Sequence, residues 1–123
     1  MTEPDVAERR VFIYGTLLRG ETAHRRMSGS RFLGEARTQQ GYALVELGWY
    51  PGLVPEGERS IAGELYAVGP RELAALDAYE DHPSLFLRQP IRLADGSSAE
   101  AYLLRPEHGE ARQRIPVDCW RER

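Results

Sequence analysis

The sequence predicts a mixed α/β (α+β) domain, in which about six strands form a small, curled or barrel-like, mostly antiparallel sheet beside one main helix. Short apolar or alternating segments recur along the chain between short polar turns, which is typical of antiparallel strands. Only the segment that begins at Gly69-Pro70 has the composition of a helix of several turns. The 123 residues suit a single domain, predicted over residues 10–123, behind a frayed or disordered N-terminus of residues 1–9.

The first predicted strand covers residues 11–14, whose continuous apolar run is typical of a strand buried on both faces of a sheet. A glycine-bounded loop over residues 14–20 follows, and residues 21–27 are expected to form one or two helical turns. Residues 32–38 and 42–47 are predicted to pair with each other through a Gln-Gln-Gly turn. The sheet is therefore expected to begin with one buried strand and one hairpin.

The middle of the chain contains one more predicted strand and the main helix. Prolines make residues 50–55 extended or turn-like, and residues 56–59 are expected to form a polar turn. Residues 61–68 are the next strand. Pro70 then occupies the favoured first position of a helix that extends to about residue 79, before the His82-Pro83 pair.

Two further strands and a returning tail complete the predicted domain. Residues 87–93 and 99–103 alternate in polarity, and the segment between them carries an Asp95-Gly96 turn. Residues 115–120 are predicted to pack back onto the domain, because the Trp120 side chain is costly to leave in water.

The charged and metal-binding residue types exclude several classes of function. The net charge is −3 and basic residues are interspersed with acidic ones, so no nucleic-acid partner is expected. All 16 basic residues are arginine, which excludes Schiff-base, lysine-nucleophile and P-loop chemistry. Cys119 is the only cysteine, and the histidines (His24, His82 and His108) show no metal-ligand spacing, so no metal or cofactor is expected.

The N-terminus gives no indication of a targeting segment. It is acidic and lacks an apolar run, so a signal peptide is not expected. No stretch approaches the ~20 apolar residues of a membrane helix. We therefore expect a cytoplasmic protein without a membrane partner, and we favour a monomer.

Glu80 is the most informative single residue. Because successive helix residues are rotated by about 100°, Glu80 shares one face with Leu73 and Leu76. That apolar face would place the carboxylate at the edge of the interior, where poor solvation raises its pKa into the range useful for general acid–base catalysis. Alternatively, the helix ends early and Glu80 lies in solvent.

The loop after the first strand is the second candidate, through Tyr14, Gly15, Thr16 and Leu17. A buried strand that ends in a sharp glycine turn presents backbone N–H groups, which can hold a carboxylate or a developing oxyanion. The alternative is an ordinary strand-to-helix turn.

Other residues carry weaker signals. The aromatic residues Trp49, Tyr50, Tyr79, Phe86 and Tyr102 could line a pocket or could belong to the core. Arg88 and Arg92 share one face of a strand, and either could bind a carboxylate of the substrate or of the protein, the protein being the favoured partner. Tyr50 and Arg88 are retained as candidate substrate-binding residues.

Six motifs in order resemble the γ-glutamylcyclotransferase-like superfamily, in the branch of γ-glutamylamine cyclotransferase and the butirosin-pathway cyclotransferase. They are the segments 11–17, 32–36, 50–55, 63–66, 76–80 and 86–88. Residues 115–120 resemble a variant of the C-terminal segment of the branch, so the match spans residues 11 to about 120. The resemblance implies a small mixed α/β barrel without a cofactor. It also implies that Glu80 is the catalytic acid–base and that the backbone of residues 14–17 binds a small γ-glutamyl substrate.

The sequence departs from the family pattern in three places. Asp81 stands where glycine is frequent, and its carboxylate, if close, would further disfavour ionisation of Glu80. Phe86 stands where tyrosine is frequent, and Val117 and Cys119 flank Asp118 where Gly-Asp-Trp is more usual.

The resemblance implies cyclisation of the γ-glutamyl group of a small γ-glutamyl amide or amine to 5-oxoproline, with release of the amine. The departures at Asp81 and Phe86 keep a non-catalytic binding protein of the same fold as the alternative. A purely structural or interaction domain ranks last, because it leaves an inward-facing Glu80 unexplained.

Overall fold

The computed structural model describes residues 8–109 and 112–122 as one mixed, curled sheet with helices beside it. The main helix is α1 (Pro70–Tyr79), α2 (Pro106–Gly109) is short, and 3₁₀ turns cover His24–Met27 and Trp120–Glu122. The strands are β1 (Arg9–Ile13), β2 (Arg31–Arg37), β3 (Tyr42–Glu46), β4 (Pro51–Arg59), β5 (Ala62–Val68), β6 (Phe86–Arg92), β7 (Ser98–Leu104) and β8 (Arg114–Ile115). The predicted fold class is confirmed, with eight described strands instead of about six.

The strand order creates a fork at β7. The order is β2-β5-β1-β7-β4-β3-β8, and β6 pairs with β7 along its whole length. Opposite β6, the other edge of β7 pairs in parallel with two different strands, with β1 at Glu100 and with β4 at Leu103. Because β1 ends and β4 begins at this place, the two strands diverge and leave room between them.

The predicted hairpin between residues 32–38 and 42–47 is wrong. β2 pairs with β5 and β3 pairs with β4, both antiparallel. The chain between β2 and β3 does not turn back on itself, because the backbone of Thr38 is held by other strands. Its N–H donates to the Ile61 carbonyl oxygen at 3.0 Å, and it forms an isolated bridge with Leu93.

The predicted polar turn at residues 56–59 is part of β4. The pairing of β3 jumps from Val54, opposite Ala43, to Arg59, opposite Tyr42. The intervening residues therefore form a bulge in one long strand, which accommodates the proline and glycine of this segment without ending the pairing.

Both ends of the described chain are tied to the sheet. Arg9, which was predicted to be frayed, lies in β1 and its Nη1 donates to Glu100 at 2.5 Å; residues 1–7 lie outside the described part of the chain. At the other end β8 pairs with β3, and Trp120 is buried, which confirms that the tail packs back. No helix in residues 8–109 and 112–122 has the length and apolar character needed to span a membrane.

Candidate active site

A cavity of about 180 Å³ lies at the fork between β1 and β4. The C-terminal end of α1 and the start of β6 complete its wall. Among the described lining residues Glu80 is the one charged side chain, so the cavity is otherwise apolar or aromatic. The lining comprises Phe12, Ile13, Tyr14, Gly15, Thr16, Leu17, Trp49, Tyr50, Pro51, Tyr79, Glu80, Leu85, Phe86 and Tyr102.

The amphipathic helix α1 places Glu80 in this cavity. Leu73 and Leu76 are buried against the core. Glu80 comes directly after the last helical residue, one turn beyond Leu76, and lies on the same face as these two leucines. Glu80 is partly exposed as a residue and lines the cavity. Burial raises the pKa of Glu80 from its usual 4.5 to about 7. The side chain can therefore both accept and donate a proton near neutral pH.

The helix ends immediately after Glu80 in a Schellman motif. The His82 N–H donates to the Asp77 carbonyl oxygen at 2.9 Å, and the Asp81 N–H donates to Ala78 at 3.2 Å. Asp81 takes the left-handed conformation that this motif requires, with φ at 55°. Its side chain is exposed, and the raised pKa of Glu80 has burial, rather than the neighbouring carboxylate, as its cause.

Tyr14, Gly15, Thr16 and Leu17 all line the cavity. The loop carbonyl oxygens of Gly15, Thr16 and Leu17 accept hydrogen bonds from Leu18 N–H, Ala23 N–H and His24, respectively. Among the hydrogen bonds described for residues 8–109 and 112–122, none has the N–H of Gly15, Thr16 or Leu17 as its donor. The loop thus borders the cavity with backbone N–H groups that its own turns do not use.

The polar side chains of the loop are bound within the protein. The Tyr14 hydroxyl donates to the Tyr102 carbonyl oxygen at 2.6 Å and accepts from the Leu53 N–H at 3.2 Å. Burial first and the Glu80 charge second raise the pKa of Tyr14 well above its usual value, so this hydroxyl stays protonated. The Thr16 hydroxyl lies 3.2 Å from the Tyr79 hydroxyl. Tyr14 thus shapes the cavity and does not supply a labile proton.

Trp49 and Tyr50 form one edge of the cavity. Their rings meet edge to face with centroids 4.9 Å apart, on a turn closed by the Leu47 N–H and the Tyr50 carbonyl oxygen at 3.0 Å. Trp49 is 67% exposed, although tryptophan is usually well buried. An exposed indole at a cavity edge offers an apolar surface to whatever part of a ligand projects from the cavity.

The structure does not place Arg88 at the cavity. Its guanidinium binds both oxygens of Asp77, from Nε at 2.8 Å and from Nη2 at 3.1 Å, and its Nη1 binds Glu100. The prediction that Arg88 binds substrate is therefore corrected: its partners are protein carboxylates. Asp77 Oδ1 also accepts a hydrogen bond from the Tyr102 hydroxyl at 2.6 Å, so Arg88 fixes a cavity side chain indirectly.

Two of the histidines have structural partners. His24 Nδ1 lies 2.9 Å from the Leu17 carbonyl oxygen, and His82 Nδ1 accepts from the Arg88 N–H at 3.1 Å. Within the described residues, no group of three or more His, Cys, Asp and Glu side chains is placed to hold a metal ion.

Comparison with known proteins identifies the family. Residues 11–122 match the model of the family described as gamma-glutamyl cyclotransferase, AIG2-like. A relative from Vibrio cholerae is 44% identical over 80% of this chain and 84% of its own length. The Escherichia coli gamma-glutamylcyclotransferase family protein YtfP is 34% identical over 81% and 87% of the two chains. The human gamma-glutamylaminecyclotransferase is 38% identical over 68% of this chain and 60% of its own length.

Solved structures agree with this assignment. A uropathogenic E. coli-specific protein superimposes with a TM-score of 0.83 and 26% identity, over 99% of this chain and 95% of its own. An AIG2-like protein from Mus musculus gives a TM-score of 0.76 and 26% identity, over 89% and 86% of the two chains. The chain therefore belongs to the AIG2-like family of gamma-glutamyl cyclotransferases and is an enzyme of that family.

Proposed function

We propose that this enzyme cyclises the γ-glutamyl group of a small γ-glutamyl amide or amine to 5-oxoproline and releases the amine. The observation that carries the proposal is the position of Glu80, whose pKa is raised to about 7 in a cavity that it shares with the loop of residues 14–17. A proton-transfer group and a loop whose backbone N–H groups can stabilise negative charge would supply the two elements that such a reaction requires.

In the proposed reaction the substrate attacks itself. The α-amino nitrogen forms a bond to the γ-carbonyl carbon, and the bond from that carbon to the leaving nitrogen breaks. The ionised Glu80 accepts a proton from the α-ammonium group, which makes the nitrogen nucleophilic. The same carboxyl group then donates that proton to the leaving nitrogen, and the second proton that the α-nitrogen loses on becoming the lactam N–H passes to the released amine through Glu80 or water. The protein has to hold a ring-ready conformer, because both reacting groups belong to one molecule.

The loop would supply binding and charge stabilisation. Gly15, Thr16 and Leu17 line the cavity, and we propose that their N–H groups bind the substrate α-carboxylate or the developing oxyanion of the γ-carbonyl. We propose that the leaving amine projects past Tyr50 toward Trp49. In this role Tyr50 contacts the substrate through its ring.

A substrate panel tests the proposal. Wild-type protein is incubated with γ-glutamyl amines, γ-glutamyl amino acids and glutathione, and 5-oxoproline is measured by chromatography. We expect 5-oxoproline from at least one γ-glutamyl amide or amine. The matched control is Glu80→Gln, which keeps the shape but cannot transfer the proton, so turnover should fall by about 10²–10⁴-fold.

The pH dependence gives a second, independent readout. Because the ionised form of Glu80 begins the reaction, kcat/KM should rise with pH through a midpoint near 7, the pKa of this group. Binding of panel compounds without any 5-oxoproline would instead favour a non-catalytic binding protein. Unchanged 5-oxoproline formation by Glu80→Gln would remove Glu80 from the mechanism.

A further inference from the structure

A second carboxylate, outside the cavity, is completely enclosed by protein. Glu64 in β5 is 1% exposed, and four hydrogen bonds converge on its two oxygens. Arg19 donates its backbone N–H at 3.1 Å and its Nε at 3.0 Å, Arg121 donates Nη2 at 3.0 Å, and the Tyr66 hydroxyl donates at 3.2 Å. Glu64 has no role in the proposed reaction, so the four hydrogen bonds that it accepts must serve another purpose.

Glu64 is held in its charged form. Burial alone would raise the pKa of Glu64, but hydrogen bonds from Arg19, Arg121 and Tyr66 outweigh burial and lower it below its usual value. A buried carboxylate persists only where partners compensate for the loss of water. Here two arginines supply that compensation, and they come from distant parts of the chain, 45 and 57 residues from Glu64.

The position of Glu64 connects it to the loop that lines the cavity. In the pairing of β1 with β5, Glu64 stands opposite Ile13, the residue after which the loop begins. Arg19, whose backbone N–H it accepts, lies two residues after Leu17. Glu64 therefore contacts the C-terminal end of the loop at Arg19. Its own strand, β5, pairs with β1 beside the N-terminal end of the loop.

Arg121 holds the same backbone from the other side. Its Nη2 donates to the Arg19 carbonyl oxygen at 2.5 Å as well as to Glu64. Arg121 belongs to the 3₁₀ turn Trp120–Glu122, which is fixed by the burial of Trp120. The peptide N–H and the carbonyl of Arg19 are thus both engaged, one by Glu64 and the other by the C-terminal turn.

We propose that Glu64 and Arg121 are positioning residues for the substrate-binding loop, and that the C-terminal turn sets substrate affinity through them. The proposal rests on the proposed function, because it takes the loop N–H groups as the donors to substrate. A loop released at Arg19 would sample more conformations, so the proposed binding of substrate by the N–H groups of Thr16 and Leu17 would weaken. Glu80 lies on a different element and would keep its environment.

The principal test variant is Arg121→Ala, because this side chain is 38% exposed and its removal leaves the Arg19–Glu64 pair in place. We expect KM for the best panel substrate to rise about three- to tenfold, as for the loss of an ordinary hydrogen bond, while kcat stays within about twofold. The midpoint of the kcat/KM pH profile should not move. Arg121→Lys should recover part of the loss, since an ammonium group can donate to the same oxygens.

Amide hydrogen exchange supplies a readout that does not depend on turnover. In Arg121→Ala the amides of residues 16–19 should exchange faster, while those of the core strand β1 should not change. The matched control is Arg31→Ala, which removes an exposed ion pair with Glu8 from β2 and should alter neither exchange in the loop nor KM. A second variant, Glu64→Gln, places an amide N–H2 among arginine donors and should produce the same exchange change more strongly.

The outcomes separate this inference from the proposed function. If Arg121→Ala folds with wild-type loop exchange and an unchanged KM, the inference is overturned, whatever the enzyme acts on. If the exchange changes but the wild type yields no 5-oxoproline, the ordering of the loop stands and the proposed function fails. A fall in kcat with an unchanged KM would also overturn the inference, because the residues would then act on the chemistry rather than on binding.

Discussion

Gly15 lies against the ring of Pro51, so closely that a Cβ atom on Gly15 would meet the proline Cγ at 2.8 Å and Cδ at 2.9 Å. The proline ring is rigid and opens β4, which itself borders the cavity. The glycine is therefore required by the contact between the loop and β4, in addition to any approach of a ligand.

Gly15→Ala should consequently disturb both stability and binding. Either the loop or the start of β4 must move, and we expect a loss of about 1–3 kcal/mol in the free energy of unfolding, as for overpacking elsewhere. KM should rise in parallel. Urea unfolding of Gly15→Ala, Pro51→Ala and the double variant forms a mutant cycle. Because Pro51→Ala removes the ring, the double variant should lose less free energy of unfolding than the two single variants lose together. If the losses of the two single variants simply add, Gly15 and Pro51 are not in contact.

The Tyr14 hydroxyl joins the two strands that diverge from β7, since it donates to the Tyr102 carbonyl and accepts from the Leu53 N–H. Tyr14→Phe leaves both backbone groups unsatisfied in the interior and should lower stability by about 1–3 kcal/mol. The measurement is chemical denaturation, with Tyr42→Phe, a half-buried tyrosine on β3, as the control expected to change stability by less than about 0.5 kcal/mol. Turnover lost at full stability would instead assign the Tyr14 hydroxyl to catalysis.

The elements that sequence reasoning predicted well are those that local rules determine. The helix follows from Pro70 and the face of Leu73, Leu76 and Glu80, and the β6–β7 hairpin follows from its Asp95-Gly96 turn. The failed hairpin of β2 and β3 is a non-local choice, because the competing partner β5 is distant in sequence and the bridge at Thr38 decides the pairing.

The partners of Arg88 and Glu64 also depend on contacts that are distant in sequence. The sequence favoured a protein carboxylate as the partner of Arg88 but could not identify it, because Asp77 and Glu100 become its partners only through folding. Glu64 shares one face of its strand with Ala62, Tyr66 and Val68, and this pattern gives no sign of its partners. Its arginine partners come from the loop and from the C-terminus, so only the assembled fold shows that it is buried.

Asp81 offers a test of backbone strain at the end of α1. A residue with a Cβ atom is disfavoured at φ near 55°, and glycine is not. Asp81→Gly should therefore raise the free energy of unfolding by about 0.5–1 kcal/mol. Asp81→Ala removes the same carboxylate but keeps the Cβ atom, so it should be less stable than Asp81→Gly by about 1 kcal/mol. Equal stabilities would show that the conformation is not strained.

The same variants examine the charge of Asp81. Burial is the cause of the raised pKa of Glu80, so neither variant should move the midpoint of the kcat/KM pH profile. A midpoint that falls in both variants would show that the neighbouring carboxylate contributes after all.

Arg88→Met should act on stability and not on substrate affinity. It leaves Asp77 and Glu100, which are 22% and 18% exposed, without their shared partner. Removal of one member of such a largely buried network should cost about 2–4 kcal/mol, measured by urea unfolding. At a temperature where the variant is folded, KM should remain near the wild-type value.

Arg92→Met is the matched control for Arg88→Met, because it changes the same residue type on the same strand. The Arg92 guanidinium donates to the Gly96 carbonyl oxygen and is exposed, so its loss should change stability by less than about 0.5 kcal/mol. A large rise in KM for a fully folded Arg88→Met would restore Arg88 as a substrate-binding residue.

The raised pKa of Glu80 makes stability depend on pH in a definite direction. In the unfolded chain the group has its usual pKa of 4.5, whereas in the folded protein its pKa is about 7. Between these values the folded state binds more protons, so stability falls as pH rises through this window. Below this pH window the Glu80 carboxyl group is neutral in the folded protein, and its burial costs little free energy. Above the window the group is charged and poorly solvated, which destabilises the folded protein.

Glu80→Gln removes this dependence because the amide does not titrate. The variant should match the wild type near pH 4.5 and exceed it at pH 8.5 by up to about 3 kcal/mol in the free energy of unfolding, the equivalent of the pKa shift. Urea unfolding of both proteins at intervals between these pH values measures the difference. Glu80→Gln should also abolish turnover, so the same variant would be more stable than the wild type at pH 8.5 and inactive. A wild-type protein as stable as Glu80→Gln at pH 8.5 would mean that Glu80 is well solvated and that its pKa is ordinary.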